Sequence, residues 1–134
     1  MEIGGTLWSV TCVNVGNPHA VVFVDDVDWL DLPAIGPLFE NDPRFPERIN
    51  TEFVEVIDEH TLKMRVWERG SGETLACGTG STASLAAAVV NGKCADSATL
   101  RLRGGELLIE WDRESNLIYM TGPAVTVFDG ELKL

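Results

Sequence analysis

Hydrophobic and polar residues alternate along much of the chain, a pattern that predicts β-strands. In one such segment, Leu62, Met64 and Val66 alternate with Lys63 and Arg65, as in a half-buried strand. Two further segments flank Gly104-Gly105, a dipeptide that favours a two-residue hairpin turn. The predicted strands span residues 10–15, 20–24, 51–57, 62–67, 98–103, 106–111, 117–120 and 124–128.

Two segments have the pattern of helices. Residues 29–39 carry Leu32, Ile35 and Phe39 at helical spacing, with Pro33 near the first turn. Residues 78–91 contain no proline, and every residue from 83 to 90 is apolar except Ser84. A helix that is apolar on all sides has no face for solvent, so it should be buried. We therefore predict an α+β domain, in which a curled, mostly antiparallel sheet of about eight strands surrounds one central buried helix.

Length and charge limit the possible partners. The 134 residues are predicted to form a single domain, residues 1–134. Ten basic and 21 acidic residues give a net charge of −11, which argues against nucleic acid and anionic membranes as partners. The N-terminal residues lack the pattern of a signal peptide, so we expect a cytoplasmic protein. Three widely spaced cysteines and two isolated histidines predict neither a disulfide framework nor a zinc site.

The strongest chemical signal is Cys77, which follows a glycine-rich turn and precedes the predicted buried helix. Unpaired N–H groups at a helix start stabilise a thiolate, which predicts a lowered pKa and raised reactivity for this cysteine. Gly78 and Gly80 leave the backbone amides open, and Thr79 adds a hydroxyl group. The alternatives are a buried structural cysteine or the nucleophile of a hydrolase, for which His19 is the candidate base.

Other polar residues stand where predicted strands meet turns. Asn17 and His19 flank a proline, Asn50 precedes a strand, and Glu68 and Arg69 follow one. Each has an ordinary structural interpretation as well, because asparagines favour turns and adjacent opposite charges often form solvated ion pairs. Glu68 and Arg69 are also suited to hold the ammonium and carboxylate groups of an amino acid.

Three motifs together resemble the second half of the diaminopimelate epimerase family. They are GNPHAV at 16–21, PERIN at 46–50 and WERGSGETLACGTG at 67–80. The resemblance implies two similar domains, each a curled sheet around a helix, with the active site between them. It also implies epimerisation of LL- to meso-diaminopimelate without pyridoxal phosphate, metal or another cofactor. Two cysteines on opposite faces of the α-carbon would remove and return the proton.

The resemblance also implies roles for individual residues. Cys77 corresponds to the cysteine of the second domain, and His19 and Glu68 to residues that support catalysis. Residues corresponding to the substrate-binding group are Asn17, Asn50, Glu68, Arg69, Gly78 and Thr79.

The family's first half, with its own cysteine, has no counterpart here, and neither Cys12 nor Cys94 matches that cysteine. We therefore expect the chain alone to be inactive or nearly so. The expected partners are an amino-acid substrate, the missing N-terminal half and, through an exposed apolar face, a second copy of the chain in a homodimer.

Two other functions remain open from the sequence. One is half of a related cysteine-pair racemase that acts on proline or hydroxyproline. The adjacent Glu68 and Arg69 argue against it, because a proline-like substrate has no distal amino-acid centre for them to bind. The other is a non-catalytic amino-acid-binding module that retains half of the site.

Overall fold

The computed structural model describes residues 1–133, which form ten strands and two helices. The strands are β1 (Glu2–Ile3), β2 (Thr6–Leu7), β3 (Val10–Asn14), β4 (Pro18–Phe23), β5 (Asn50–Asp58), β6 (Thr61–Glu68), β7 (Gly72–Thr74), β8 (Ser97–Leu102), β9 (Gly105–Asp112) and β10 (Leu117–Thr121). The helices are α1 (Leu32–Glu40) and α2 (Gly78–Val90).

Eight of the strands form one mixed sheet in the order β10-β9-β8-β6-β5-β4-β3, with β7 paired to β6. Neighbouring strands are antiparallel except for β4 with β5 and β6 with β8, which are parallel. Strands β1 and β2 form a separate hairpin. The predicted α+β class and the mostly antiparallel sheet are confirmed.

The sheet curls around α2. This helix contacts both β3 and β10, which lie at opposite ends of the strand order, so the sheet must bend around it. Nine of its residues are buried, from Gly80 to Val89. Small side chains such as Ala83, Ala87 and Ala88 let the strands approach the helix axis closely, and they pack with Leu62, Met64 and Leu100 of the sheet. The predicted central buried helix is confirmed.

Helix α1 covers the opposite face of the sheet. On β4, Val21 packs in the cluster around α2, whereas its neighbour Val22 packs with Leu32 and Phe39 of α1. Successive residues of a strand point to opposite faces, so the two helices lie on opposite sides. Gly36 allows close contact, because a Cβ atom there would overlap the Trp67 ring.

The predicted strand at 124–128 is wrong. Residues 122–133 have no regular secondary structure, and β10 ends the sheet at Thr121. A strand requires a neighbour for its backbone hydrogen bonds, and the described residues supply none for this segment. Three of its apolar side chains are more than 80% exposed, those of Val125, Val127 and Phe128. The short strands β1, β2 and β7 were not predicted, because two or three residues show no clear alternation.

The first predicted helix begins later than expected. Residues 29–31 of the predicted helix lie outside α1. The Asp31 side chain caps α1 by accepting a hydrogen bond from the Ala34 N–H group. Neither helix in residues 1–133 is long and apolar enough to cross a membrane.

Candidate active site

Cys77 lies between β7 and α2 and is the N-terminal cap of the helix. Its backbone is extended, with φ −143°, and its Sγ atom accepts a hydrogen bond from the Gly80 N–H group at 3.3 Å. The Ser81 hydroxyl donates to the Cys77 carbonyl at 2.9 Å, which fixes the first turn. The Cys77 residue is 8% exposed, so the sulphur lies at the edge of the core.

The predicted lowering of the Cys77 pKa is wrong for this structure. Burial raises the pKa of the thiol, because a charged thiolate is poorly solvated there. Hydrogen bonds from Thr79 and Gly80 act in the opposite direction and lower the pKa. The negative charges of Glu68 and Glu52 raise it further. The helix start therefore assists the thiolate, but burial and the two acids outweigh that effect.

A series of hydrogen-bonded side chains connects Cys77 to the core. The Thr79 hydroxyl oxygen lies 3.7 Å from Cys77 Sγ and accepts a hydrogen bond from Asn17 Nδ2 at 3.3 Å. Asn17 Oδ1 lies 3.1 Å from His19 Nε2, and His19 Nδ1 lies 2.7 Å from Glu52 Oε1. Four of the residues predicted for the site thus form one connected group with Glu52.

Asn50 joins the second and third motifs. Its Oδ1 atom accepts a hydrogen bond from the Arg69 backbone N–H at 3.0 Å, and its Nδ2 donates to the Pro18 carbonyl at 3.3 Å. His19 and Asn50 are direct neighbours across the parallel β4–β5 pair. The Arg69 guanidinium donates to the Glu47 carbonyl at 3.1 Å. The three sequence motifs are therefore adjacent in the fold.

Glu68 ends β6 at a tight turn into β7. The turn is closed by a hydrogen bond from the Ser71 N–H group to the Glu68 carbonyl, and Gly70 adopts φ 80°, a conformation that favours glycine. The Glu68 carboxylate accepts a hydrogen bond from the Thr74 hydroxyl. Among the described residues, Glu68 and Arg69 do not form the ion pair that their adjacency suggested. Gly78, the first residue of α2, lies near Met120 of β10.

Two buried acids near the site were not predicted from the sequence. Glu52 is 0% exposed, and its Oε2 atom has no hydrogen-bond partner among the described residues. Glu40 is 7% exposed and accepts hydrogen bonds from Trp67 Nε1, Arg48 Nη1 and the Gly70 N–H group. The sequence contained a signal for Glu52, since it shares a strand face with the buried Val54. Within residues 1–133, no group of three or more His, Cys, Asp or Glu side chains is placed to hold a metal ion.

Comparison with known proteins gives a consistent result. The family model described as "Diaminopimelate epimerase" matches residues 11–127. The chain belongs to the diaminopimelate epimerase family. A diaminopimelate epimerase of Acetivibrio thermocellus is 60% identical over 134 residues, all of this chain and 48% of the relative. That of Nostoc punctiforme is 58% identical over 132 residues, 98% of this chain and 47% of the relative. The chain thus spans about half the length of the curated diaminopimelate epimerases that it matches.

Solved structures share the fold of this diaminopimelate epimerase family member. A phenazine biosynthesis protein of the PhzF family from Bacillus anthracis matches 84% of this chain and 38% of its own, with a TM-score of 0.58 and 22% identity. A PhzF family protein from Enterococcus faecalis matches 80% of this chain and 40% of its own, with a TM-score of 0.54 and 18% identity. At such low identity, these matches show similarity of fold alone.

Proposed function

We propose that these residues form the second-cysteine half of an enzyme that interconverts LL- and meso-diaminopimelate, with Cys77 as one of its two acid–base groups. The observation that carries the proposal is the position of Cys77 at the start of α2, hydrogen-bonded to Gly80 and within 3.7 Å of the Thr79 hydroxyl. Membership of the family supports the choice of substrate.

The proposed reaction transfers protons and has no net redox change. A thiolate on one face of the α-carbon takes the α-proton, and a thiol on the opposite face gives a proton to the resulting carbanion. Because the pKa of Cys77 is raised, its thiol form is favoured at neutral pH, which suits the proton donor in one direction of the reaction. N–H groups at the start of α2 would stabilise negative charge that develops on the α-carboxylate.

The other polar residues would bind and orient the substrate. The Arg69 guanidinium is suited to a carboxylate and the Glu68 carboxylate to an ammonium group. Asn17 and Asn50 would orient the substrate by hydrogen bonds, together with Thr79 and the backbone of Gly78. His19 would support the catalytic cysteine through its hydrogen bonds with Asn17 and Glu52. Glu68 would support it through its negative charge.

The proposed activity requires a second half. The relatives are about twice as long as the matched region, so their remaining half would supply the opposing cysteine. We propose that residues 1–134 form one domain of such a protein and do not epimerise substrate alone. The protein would work in the cytoplasm, where reducing conditions keep Cys77 free. Exposed apolar side chains on β10 and the following segment, including Leu117, Met120 and Phe128, offer a surface for that half or for a second copy in a homodimer.

The deciding experiment measures α-hydrogen exchange of diaminopimelate in heavy water. The chain is assayed alone and after fusion to the unmatched half of the Acetivibrio thermocellus relative. We expect exchange only in the fusion, and its loss in Cys77→Ala. Cys12→Ala, which removes an exposed cysteine of β3, is the matched control and should retain exchange. Exchange by the chain alone, or by the folded Cys77→Ala fusion, would contradict the proposal.

The same assay separates the alternative functions. Exchange of proline or hydroxyproline, but not of diaminopimelate, would identify a related racemase. Binding of diaminopimelate to the chain alone, with no exchange in a folded fusion, would identify a binding module.

A further inference from the structure

Glu52 is a buried carboxyl group without an ordinary structural explanation. It lies on the face of β5 that packs against α2, where a Cβ atom on Gly80 would approach its Oε1 atom to 2.6 Å and Cys77 Sγ to 3.1 Å. Only Oε1 has a hydrogen-bond partner among the described residues, and that partner is His19. Burying an acid is costly, so its retention beside the candidate catalytic sulphur points to a task there.

The orientation of the Asn17 amide indicates where the protons of the Glu52–His19 pair lie. Asn17 donates its Nδ2 hydrogen to the Thr79 hydroxyl, so its acceptor atom Oδ1 faces His19 Nε2. Nε2 must then carry a proton. A second proton lies between His19 Nδ1 and Glu52 Oε1, which are 2.7 Å apart. The buried pair therefore holds two protons and has no net charge.

The same pattern leaves the Thr79 hydroxyl hydrogen available to the Cys77 sulphur. Because this oxygen accepts from Asn17, its own hydrogen is free for another acceptor, and Cys77 Sγ lies 3.7 Å away. Thr79 is thus free to donate toward the sulphur, an arrangement that favours the thiolate.

We propose that Glu52 is a positioning residue which, through His19, Asn17 and Thr79, controls whether a hydrogen-bond donor faces the Cys77 sulphur. Loss of one proton from the pair to solvent leaves the other on Nδ1, against the Glu52 carboxylate. Nε2 then accepts, so the Asn17 amide turns over and its Oδ1 takes the Thr79 hydroxyl hydrogen. The sulphur loses its donor, and its thiolate becomes less favourable.

Through this arrangement, the charge of the Glu52–His19 pair influences whether Cys77 is a thiol or a thiolate. The other ionisable group facing them is Glu68 on β6, whose charge acts on both Glu52 and Cys77. The strand neighbours of the pair, Val13 on β3 and Val66 on β6, are uncharged. The importance of this coupling for catalysis rests on the proposed function, but the coupling itself is measurable without substrate.

The first test is nitrogen-15 NMR of His19 in the unsubstituted chain and in His60→Gln, which leaves His19 as the single histidine. We expect Nε2 to carry a proton at neutral pH in the unsubstituted chain. Glu52→Gln should also leave Nε2 protonated, because a glutamine amide can donate to Nδ1 and the ring then keeps its one proton on Nε2. An unprotonated Nε2 at neutral pH would overturn the proposal.

The second test follows alkylation of Cys77 by iodoacetamide against pH, with peptide mass spectrometry as the readout. Thr79→Val should slow alkylation at about pH 8 by roughly threefold to tenfold, and Thr79→Ser should restore it. Glu52→Gln should shift the profile to lower pH, and this shift should shrink when Thr79→Val is also present. Shifts that simply add would contradict the coupling.

Glu55→Gln is the matched control, because it makes the same change on the same strand, β5. The Glu55 carboxylate accepts a hydrogen bond from the Val27 N–H group and does not contact His19. Its alkylation profile should equal that of the unsubstituted chain. If Glu52→Gln does not fold, the exposed Thr79 variants and the NMR of the unsubstituted chain still decide the question. Failure of the epimerase assay would leave these results unchanged, so the two proposals fail separately.

Discussion

Asn50 accepts a hydrogen bond from the backbone N–H group of Arg69 at 3.0 Å and thereby fixes the turn after β6 to the start of β5. The same amide donates to the Pro18 carbonyl, so both of its ends are used in a position that is 5% exposed. A neutral amide is required there, because a carboxylate would meet the Pro18 carbonyl without a proton to share.

Asn50→Asp should therefore destabilise the chain by about 1–3 kcal/mol, measured as the free energy of unfolding in urea. In the fused enzyme it should also raise the KM for diaminopimelate, because the Arg69 turn loses its support. Asn116→Asp is the control, since Asn116 lies on an exposed turn and its Oδ1 atom accepts a hydrogen bond from Trp111 Nε1, which an aspartate oxygen would also accept. Equal stability of Asn50→Asp and the unsubstituted chain would show that this contact is unimportant.

Glu40 connects α1 to the same turn and predicts a pH-dependent stability. Burial acts to raise the pKa of Glu40, but hydrogen bonds from Trp67 and Gly70 and the charge of Arg48 together hold it below its ordinary value of 4.5. A carboxyl group whose pKa is lowered by folding stabilises the protein above its unfolded pKa, and this contribution is lost as the pH falls through the folded pKa.

Glu40→Gln should accordingly reduce the free energy of unfolding by about 1–3 kcal/mol at neutral pH. The difference from the unsubstituted chain should diminish once the pH falls below about 4.5, the ordinary value. Urea unfolding at a series of pH values measures it. Glu114→Gln, on an exposed turn, should show no such difference at any pH.

Gly80 lies between Cys77 and Glu52, where a residue with a Cβ atom would crowd the Glu52 carboxyl group. A Cβ atom at this position would lie 2.6 Å from Glu52 Oε1, and the Glu52 side chain is fully buried. Gly80→Ala should lower stability by about 1–3 kcal/mol despite the higher helix propensity of alanine. Thermal unfolding measures this loss. Gly130→Ala is the matched control and should change stability little, because Gly130 is exposed and an added Cβ atom would come no nearer than 3.5 Å to another atom. A stabilised Gly80→Ala would contradict the described packing.

Much of the fold follows from local pattern. The small apolar residues of α2 predicted a buried helix, and the alternation in β6 predicted one buried face. Residues 124–128 show the limit of this reasoning, because their β-branched and aromatic residues are typical of a strand but they have no neighbouring strand among the described residues. A strand depends on its partner, and a sequence pattern does not supply one.

The site was partly predictable for a similar reason. The polar residues of the three motifs stand at the ends of strands, and their grouping followed from the family resemblance. The Glu52–His19 contact joins residues 33 positions apart, and only the parallel pairing of β4 with β5 brings them together. The predicted direction of the Cys77 pKa shift was wrong, because the shift depends on burial and on two acids that the fold brings close, Glu52 of β5 and Glu68 of β6.

Glu68 provides a direct test of the electrostatics around Cys77. Its negative charge is among the causes that raise the pKa of the Cys77 thiol, after burial. Glu68→Gln removes this charge, so the pKa should fall and the thiolate fraction at a given pH below it should rise. We expect alkylation of Cys77 at about pH 8 to become roughly twofold to fivefold faster. Glu106→Gln, an exposed change on β9, is the control for net charge. An unchanged or slower rate in a folded Glu68→Gln chain would mean that this carboxylate does not act on the sulphur.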